Sequence, residues 1–368
     1  MRIDNAQEAL AQLQMRENGK TITECRAQAQ ACAAVFRYYA AVCETQESEV
    51  TTPRGPYVSL VVHEPFGIVG LITPWNSPLT MEAQKLAPAL AAGNAVLLKP
   101  SEVTPGIGLA LGAFCCEAGV PDGVVSVVSG SGSLAGDAIV RHPEVRMIAF
   151  TGGTETGRVI ARAAAEKLMP IALELGGKSP HIVFADADLD AACDSVTDGI
   201  FSSMGQSCVS GSRLFVERSV YDQVVEAVVA RLQTYRIGPP NEASTELGPL
   251  ASFTHRDRVE ALVESGRSEG GRILCGGARP VGLDQGAYYL PTVIDGLEAT
   301  ARLCREEVFG PVLVVLPFDG EDDLARQAND TSYGLACGIW TADHKRAWRV
   351  AQQRNRSLLG GRDLDVQR

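Results

Sequence analysis

Apolar residues in this chain fall in short runs separated by stretches with helical spacing, and that alternation predicts the elements. Residues 6–45 are Ala-rich and read as helical, with no Gly or Pro after Gly19. TTPRGP (51–56) is a break, after which YVSLVVHEP runs apolar in a β-rich way, as a strand does. From Phe66 the pattern becomes strand, helix, strand, helix. GIVGLIT, AVLLKP, VVSVVSG, MIAFTG and IALE read as strands, and 105–118 and 154–167 as helices. A second series begins near Gly176. It contains strand HIVFADAD, a helix over 188–203 with an acidic first turn, strand RLFVERSV, a helix over 220–234, strands PVLVVLPF and GLACGIW, and a helix over 345–354. Such alternation predicts an α/β fold, with mostly parallel sheets and helices on both faces. No internal repeat recurs at a fixed period. Two α/β domains joined near 174–178 are expected.

Composition adds exclusions. The 368 residues are 45% apolar and 21% charged, ordinary for a globular chain and enough for two cores. The net charge is −11 with no basic run, so no nucleic-acid partner is expected. None of the ten cysteines forms a C-x-x-C pair, so no metal site is expected from spacing. The thiols, without a secretion signal, point to a reducing, cytoplasmic location. The longest nearly apolar stretch, LAPALAAGNAVLL, is too short and too interrupted to span a bilayer, so no membrane partner is expected.

Parallel α/β sheets bind ligands at the carboxyl ends of their strands, so the residues after each strand matter most. Thr73, Pro74, Trp75 and Asn76 follow GIVGLI; Lys99, Pro100, Ser101 and Glu102 end and follow AVLLK. Thr151 to Gly157 follow MIAF, and Leu175, Gly176, Gly177 and Lys178 follow IALE. FTGGTETG is either a tight strand-to-helix turn or a phosphate seat, where glycines admit the anion to a helix N-terminus. Lys99 and Glu102 are either a solvated charge pair or ribose contacts. Cys208 lies in MGQSCVSGSR, a glycine-flanked polar turn, which makes it the best nucleophile candidate among the cysteines. Glu174 ends an apolar strand. Burial there would raise its pKa and suit it as a base; a carboxylate paired with a nearby cation is the other reading.

TPWNSPL, LKPSE, FTGGTETG, LELGGKSP, GQSC and EEVFGPV occur in the order and approximate spacing of the NAD(P)-dependent aldehyde dehydrogenase superfamily. The chain resembles that family from about 27 to 353. The resemblance implies a Rossmann-type cofactor domain over 1–175, including an oligomerisation strand in 50–65, a catalytic α/β domain over 176–357, and an atypical tail over 358–368. It implies Cys208 as nucleophile, Glu174 as general base, Asn76 as oxyanion donor and Lys85 in a proton relay. It assigns Lys99 and Glu102 to the adenosine ribose, and Gly152 and Gly153 to the pyrophosphate. By the same resemblance Ile72 and Trp75 would line the cofactor cleft, Leu175 would lie beside the nicotinamide, and Glu307 would take its ribose, with Phe309 packing alongside. NAD is expected in preference to NADP, because Glu102 would repel a ribose phosphate. The implied activity is oxidation of a small aldehyde to an acid through a thiohemiacetal and a thioester.

Relative to the family pattern, the chain reads as truncated at both ends. After 353 the sequence RNRSLLGGRDLDVQR lacks the expected apolar strand and the acidic partner of Lys85. That reading predicts uncovered apolar faces, weak turnover, and doubtful assembly of the homo-oligomer typical of the family. Two alternatives accompany it. A CoA-acylating branch would not need Glu174. A catalytically impaired, truncated paralogue would keep a binding or structural role.

Overall fold

The computed structural model describes residues 2–53 and 55–353, together with the backbone of 363–367. Contacts divide the chain into two compact units, Met1–Glu17 with Thr23–Glu174, and Asn18–Ile22 with Leu175–Arg368.

The chain opens with a short helix, Arg2–Asn5, followed by helices Gln7–Asn18 and Ile22–Thr45, whose facing ends Asn18 and Ile22 belong to the second unit. The region expected to be helical over 6–45 is thus two helices. Gly19 takes φ +75°, a left-handed conformation that a helix cannot continue through. Strands β1 (Glu49–Val50) and β2 (Leu60–Val61) pair antiparallel, two residues each. The long strand expected from YVSLVVHEP is reduced to that pair. Tyr57, Val58, Leu60, Val61 and Val62 are all exposed, so burial fixes no face of the segment.

Five parallel strands make the first unit's sheet: β3 (Ile68–Ile72), β4 (Ala95–Lys99), β5 (Val125–Val127), β6 (Val145–Thr151) and β7 (Ile171–Glu174). Their order is β5-β4-β3-β6-β7, so the chain winds outward one way from β3 and then returns to its other side. That reversal is a topological switch point, and ligands of open α/β sheets bind outside the carboxyl ends of the strands flanking it. The segments after β3 and β6 are Thr73–Asn76 and Gly152–Gly153.

The second unit contains β8 (Pro180–Val183), β9 (Arg213–Glu217), β10 (Arg272–Cys275), β11 (Thr292–Asp295), β12 (Val312–Phe318), β13 (Ala336–Trp340) and β14 (Asp363–Gln367). They form one sheet in the order β10-β11-β12-β9-β8-β13-β14, parallel except for β10 against β11. All four residues of β11 and the first five of β12 are buried. Strands covered on both faces read as continuous apolar runs, as VLVVL does. Helix Leu189–Phe201 starts where Asp188 accepts the backbone N–H of Ala191 (3.2 Å), a cap consistent with the acidic first turn. The tail departs from expectation: Asp363–Gln367 is a strand, in parallel register with Ala336–Trp340. A parallel neighbour needs only backbone groups, so even the polar sequence DLDVQ extends the sheet. The rest of 358–368 lies outside the described residues.

Candidate functional site

In the first unit, β3 delivers Thr73 into a loop held at several points. The backbone N–H of Thr73 donates to the Lys99 carbonyl (3.1 Å), and its hydroxyl donates to Glu82 Oε1 (3.4 Å). Gln28 Nε2 donates to the Ser77 hydroxyl (3.3 Å), and Gln14 Oε1 accepts the N–H of Leu79 (3.1 Å). Trp75 and Asn76 are half-buried between these anchors, while Ile72 is buried at the strand end. Glu82 is fully buried, and burial pushes its carboxyl well up, a shift the Glu17 charge reinforces. Neither Glu82 nor Gln14 was singled out from the sequence. Both lie on helices whose pattern shows only that they are polar.

Lys85 lies on helix Pro78–Ala91, which begins two residues after Asn76. Burial pushes its amine down to about 8, while the charge of Glu174 pulls it back up. Within this unit Glu174 is thus an acidic group whose charge acts on Lys85. The expected burial of Glu174 is corrected. The residue is exposed, because β7 is the last strand of its sheet and has a neighbour on one side only.

Lys99 is buried at the end of β4, with Nζ donating to the Pro100 carbonyl (2.8 Å) and 3.5 Å from Glu102, which is exposed. After β6, Gly153 caps helix Thr154–Glu166, and a Cβ added there would meet nothing within 4 Å. The hydroxyls of Thr151 and Thr154, on either side of the two glycines, are buried without a hydrogen-bond partner among the described residues. Open backbone, orphaned hydroxyls and the positive end of a helix fit a phosphate group.

In the second unit, three sequence motifs converge. The backbone N–H of Gly177 donates to Glu307 Oε1 (2.9 Å). A Cβ on Gly176 would stand 2.3 Å from Glu307 Oε2, and one on Gly177 would stand 2.1 Å from the Cys208 carbonyl oxygen. The Leu175–Gly176–Gly177 segment thus packs against both the Glu307 carboxylate and the Cys208 backbone, and at 177, where the neighbour is backbone, only glycine permits the approach. Burial raises the pKa of Glu307.

Cys208 is half-buried and follows a turn, Ser202–Gly205, in which Ser203, Met204 and Gly205 have φ of 55°, 56° and 66°. Buried Gln206 fastens the turn's exit. Its Nε2 and backbone N–H both donate to the Ser203 carbonyl (3.1 Å each), and its Oε1 accepts the N–H of Ala251 (2.9 Å). Phe309 also has a left-handed backbone, with φ 57°. His255 donates from Nε2 to the Phe309 carbonyl (2.7 Å) and lies edge-on to its ring, with centroids 6.1 Å apart. Donation to a carbonyl requires the Nε2–H tautomer, and burial, which lowers the His255 pKa, keeps the ring neutral at pH 7. Arg258 adds a long contact to the Glu307 carbonyl (3.4 Å). The sequence treated His255 as scattered; its only local signal was the Ser252 cap that starts its helix.

Comparisons with known proteins give one consistent result. A family model described as "Aldehyde dehydrogenase family" matches residues 1–358. The chain is 44% identical over 347 residues to betaine aldehyde dehydrogenase of Bacillus subtilis, covering 94% of this chain and 71% of that protein. A crystal structure of a putative aldehyde dehydrogenase from Burkholderia cenocepacia matches with TM-score 0.95 and 42% identity, covering 99% of this chain and 74% of that one. Betaine aldehyde dehydrogenase of Staphylococcus aureus, crystallised in complex with NAD+, matches with TM-score 0.95 and 38% identity, covering 100% of this chain and 73% of that one.

Proposed function

The chain belongs to the aldehyde dehydrogenase family, and from that premise we propose that it oxidises an aldehyde to a carboxylic acid with NAD, using Cys208 as the nucleophile. The observation that carries the reading is the packing of the Gly176–Gly177 backbone against both Cys208 and Glu307. It fixes a thiol-bearing turn beside a carboxylate suited to a ribose hydroxyl pair. The cofactor reading rests further on the open Gly153 backbone and the orphaned Thr151 and Thr154 hydroxyls. Gly152 and Gly153 would hold the pyrophosphate, and Lys99 and Glu102 the adenosine ribose. Glu307 would hold the nicotinamide ribose, with Ile72, Trp75, Leu175 and Phe309 lining the dinucleotide. When bound, NAD supplies the hydride acceptor.

The residues act in sequence. The Cys208 thiolate adds to the aldehyde carbon, forming a thiohemiacetal oxyanion that the Asn76 amide and the Cys208 backbone N–H stabilise. Oxidation leaves a thioester on Cys208. Glu174 takes a proton from water, which attacks the thioester and releases the acid and the thiol. Exposure at a strand end suits Glu174 to meet water, and its charge acts on the Lys85 amine, which burial pushes down to about 8. The substrate class is a small aldehyde; the Bacillus relative is named for betaine aldehyde. The expected 1–175 cofactor domain, less Asn18–Ile22 and Leu175, then corresponds to the first unit, and the 176–357 catalytic domain falls in the second.

The test is pre-steady-state NADH formation with a panel of aldehydes. Cys208→Ala is expected to abolish it while NAD still binds. Glu174→Gln is expected to give one burst and then stall. Retained turnover in Cys208→Ala would remove the cysteine from the mechanism, and unchanged steady-state turnover in Glu174→Gln would remove the base.

A further inference from the structure

The second unit includes a five-residue piece of the N-terminal region, Asn18–Ile22. Its placement is fixed at several points. Asn18 Oδ1 accepts the N–H of Lys20 (3.1 Å), and the N–H of Ile22 donates to the Pro240 carbonyl (2.8 Å). Gly19, at φ +75°, sits so close to Pro249 that an added Cβ would be 2.8 Å from its Cγ. A Cβ on Gly248 would in turn be 2.4 Å from the Gly19 carbonyl oxygen. The strap therefore rests on segment 248–249, two residues before Ala251, whose N–H binds Gln206. From this strap Lys20, only 6% exposed, extends its Nζ to the Ser203 hydroxyl at 2.5 Å.

Ser203 opens the left-handed run that precedes Cys208. Left-handed backbone is unfavourable for any residue with a Cβ, and Ser203 and Met204 both have one. Such conformations persist only where the surroundings over-determine them. Gln206 fastens the exit of the run. A buried amine from the other end of the sequence fastens its entrance.

We infer that Lys20 is a positioning residue for the nucleophile: by holding the Ser203 hydroxyl it keeps the turn Ser202–Gly205 in its left-handed form and so fixes where the Cys208 thiol is presented. The inference rests on the reading of Cys208 as nucleophile. It assigns Lys20 no contact with substrate or cofactor. The interaction joins residues 183 positions apart in sequence.

The experiment compares the full chain with Lys20→Met, Ser203→Gly and the double variant. Three quantities are read: the NADH burst rate, the affinity for NAD, and the rate at which iodoacetamide alkylates Cys208 relative to exposed Cys43 and Cys116, mapped by peptide mass. Lys20→Met is expected to slow the burst about tenfold, equivalent to about 1.4 kcal/mol. It should change the relative alkylation rate of Cys208 and leave NAD affinity within about twofold. Glycine tolerates the left-handed region, so Ser203→Gly in the Lys20→Met background is expected to recover most of the burst. A merely structural lysine would lower the melting temperature without moving the Cys208-to-Cys43 ratio, and Ser203→Gly would not recover the loss; either result overturns the inference. Lys20→Met with unchanged burst and thiol reactivity overturns it as well. Failure of the underlying reading is distinguishable, because alkylation of Cys208 in the unaltered chain would then leave turnover intact.

Discussion

Gly176→Ala and Gly177→Ala add the same methyl group at adjacent positions and are expected to damage different functions. Neither glycine has a left-handed backbone, so the effect is one of contact alone. At 177 the new Cβ would stand 2.1 Å from the Cys208 carbonyl oxygen and 3.3 Å from its carbonyl carbon. Carbon and oxygen rest about 3.3 Å or more apart, so the Cys208 backbone must retreat by roughly 1 Å. No flexible side chain is available to absorb that movement. Overpacking of this kind costs about 1–3 kcal/mol, within a total stability of about 5–15 kcal/mol, so the variant should fold. A displacement of about 1 Å at the reacting group can lower the rate about 10²-fold. At 176 the new Cβ would stand 2.3 Å from Glu307 Oε2, the far end of a side chain. The carboxylate can swing away, at the loss of its 2.9 Å bond from Gly177. Gly176→Ala should therefore weaken NAD about tenfold, or about 1.4 kcal/mol, and spare the burst at saturating NAD. Stopped-flow bursts and equilibrium NAD titrations separate the two effects. A full burst rate in Gly177→Ala, or unchanged NAD affinity in Gly176→Ala, would refute the proposed convergence of these motifs.

Two further outcomes follow from charge. Lys178 is fully buried, with Nζ unbonded among the described residues. Burial and the nearby Arg213 push it from an ordinary 10.5 down to about 7. The unfolded chain thus binds more protons between about pH 7 and 10.5, and this group's penalty on stability is complete below 7 and fades as pH rises. Lys178→Met should raise the melting temperature most at pH 6 and hardly at all at pH 10; a gain independent of pH would contradict the burial argument. Glu102→Gln should narrow the preference for NAD over NADP by removing a negative charge from the ribose-phosphate position, and equal affinities in the unaltered chain would remove that role from Glu102.

The sequence alone carried the strand runs, because strands buried on both faces read as continuous apolar runs, as VLVVL and LFV do. It also singled out Gly176, Gly177 and Cys208, and the fold packs the two glycines closely against Glu307 and the Cys208 backbone. It did not carry short elements such as Thr292–Asp295, whose four residues show no period and are strands only because β10 and β12 flank them. Nor could it give the exposure of Glu174, which depends on β7 being an edge strand and not on the apolar residues before it. The supporting contacts were the least legible. Lys20 to Ser203, His255 to Phe309 and Glu82 to Thr73 join residues with no local pattern to mark them. Local sequence encodes backbone preference and the face a residue presents. Which polar atom meets which, between residues 183 positions apart, is decided only when the packed core fixes both ends.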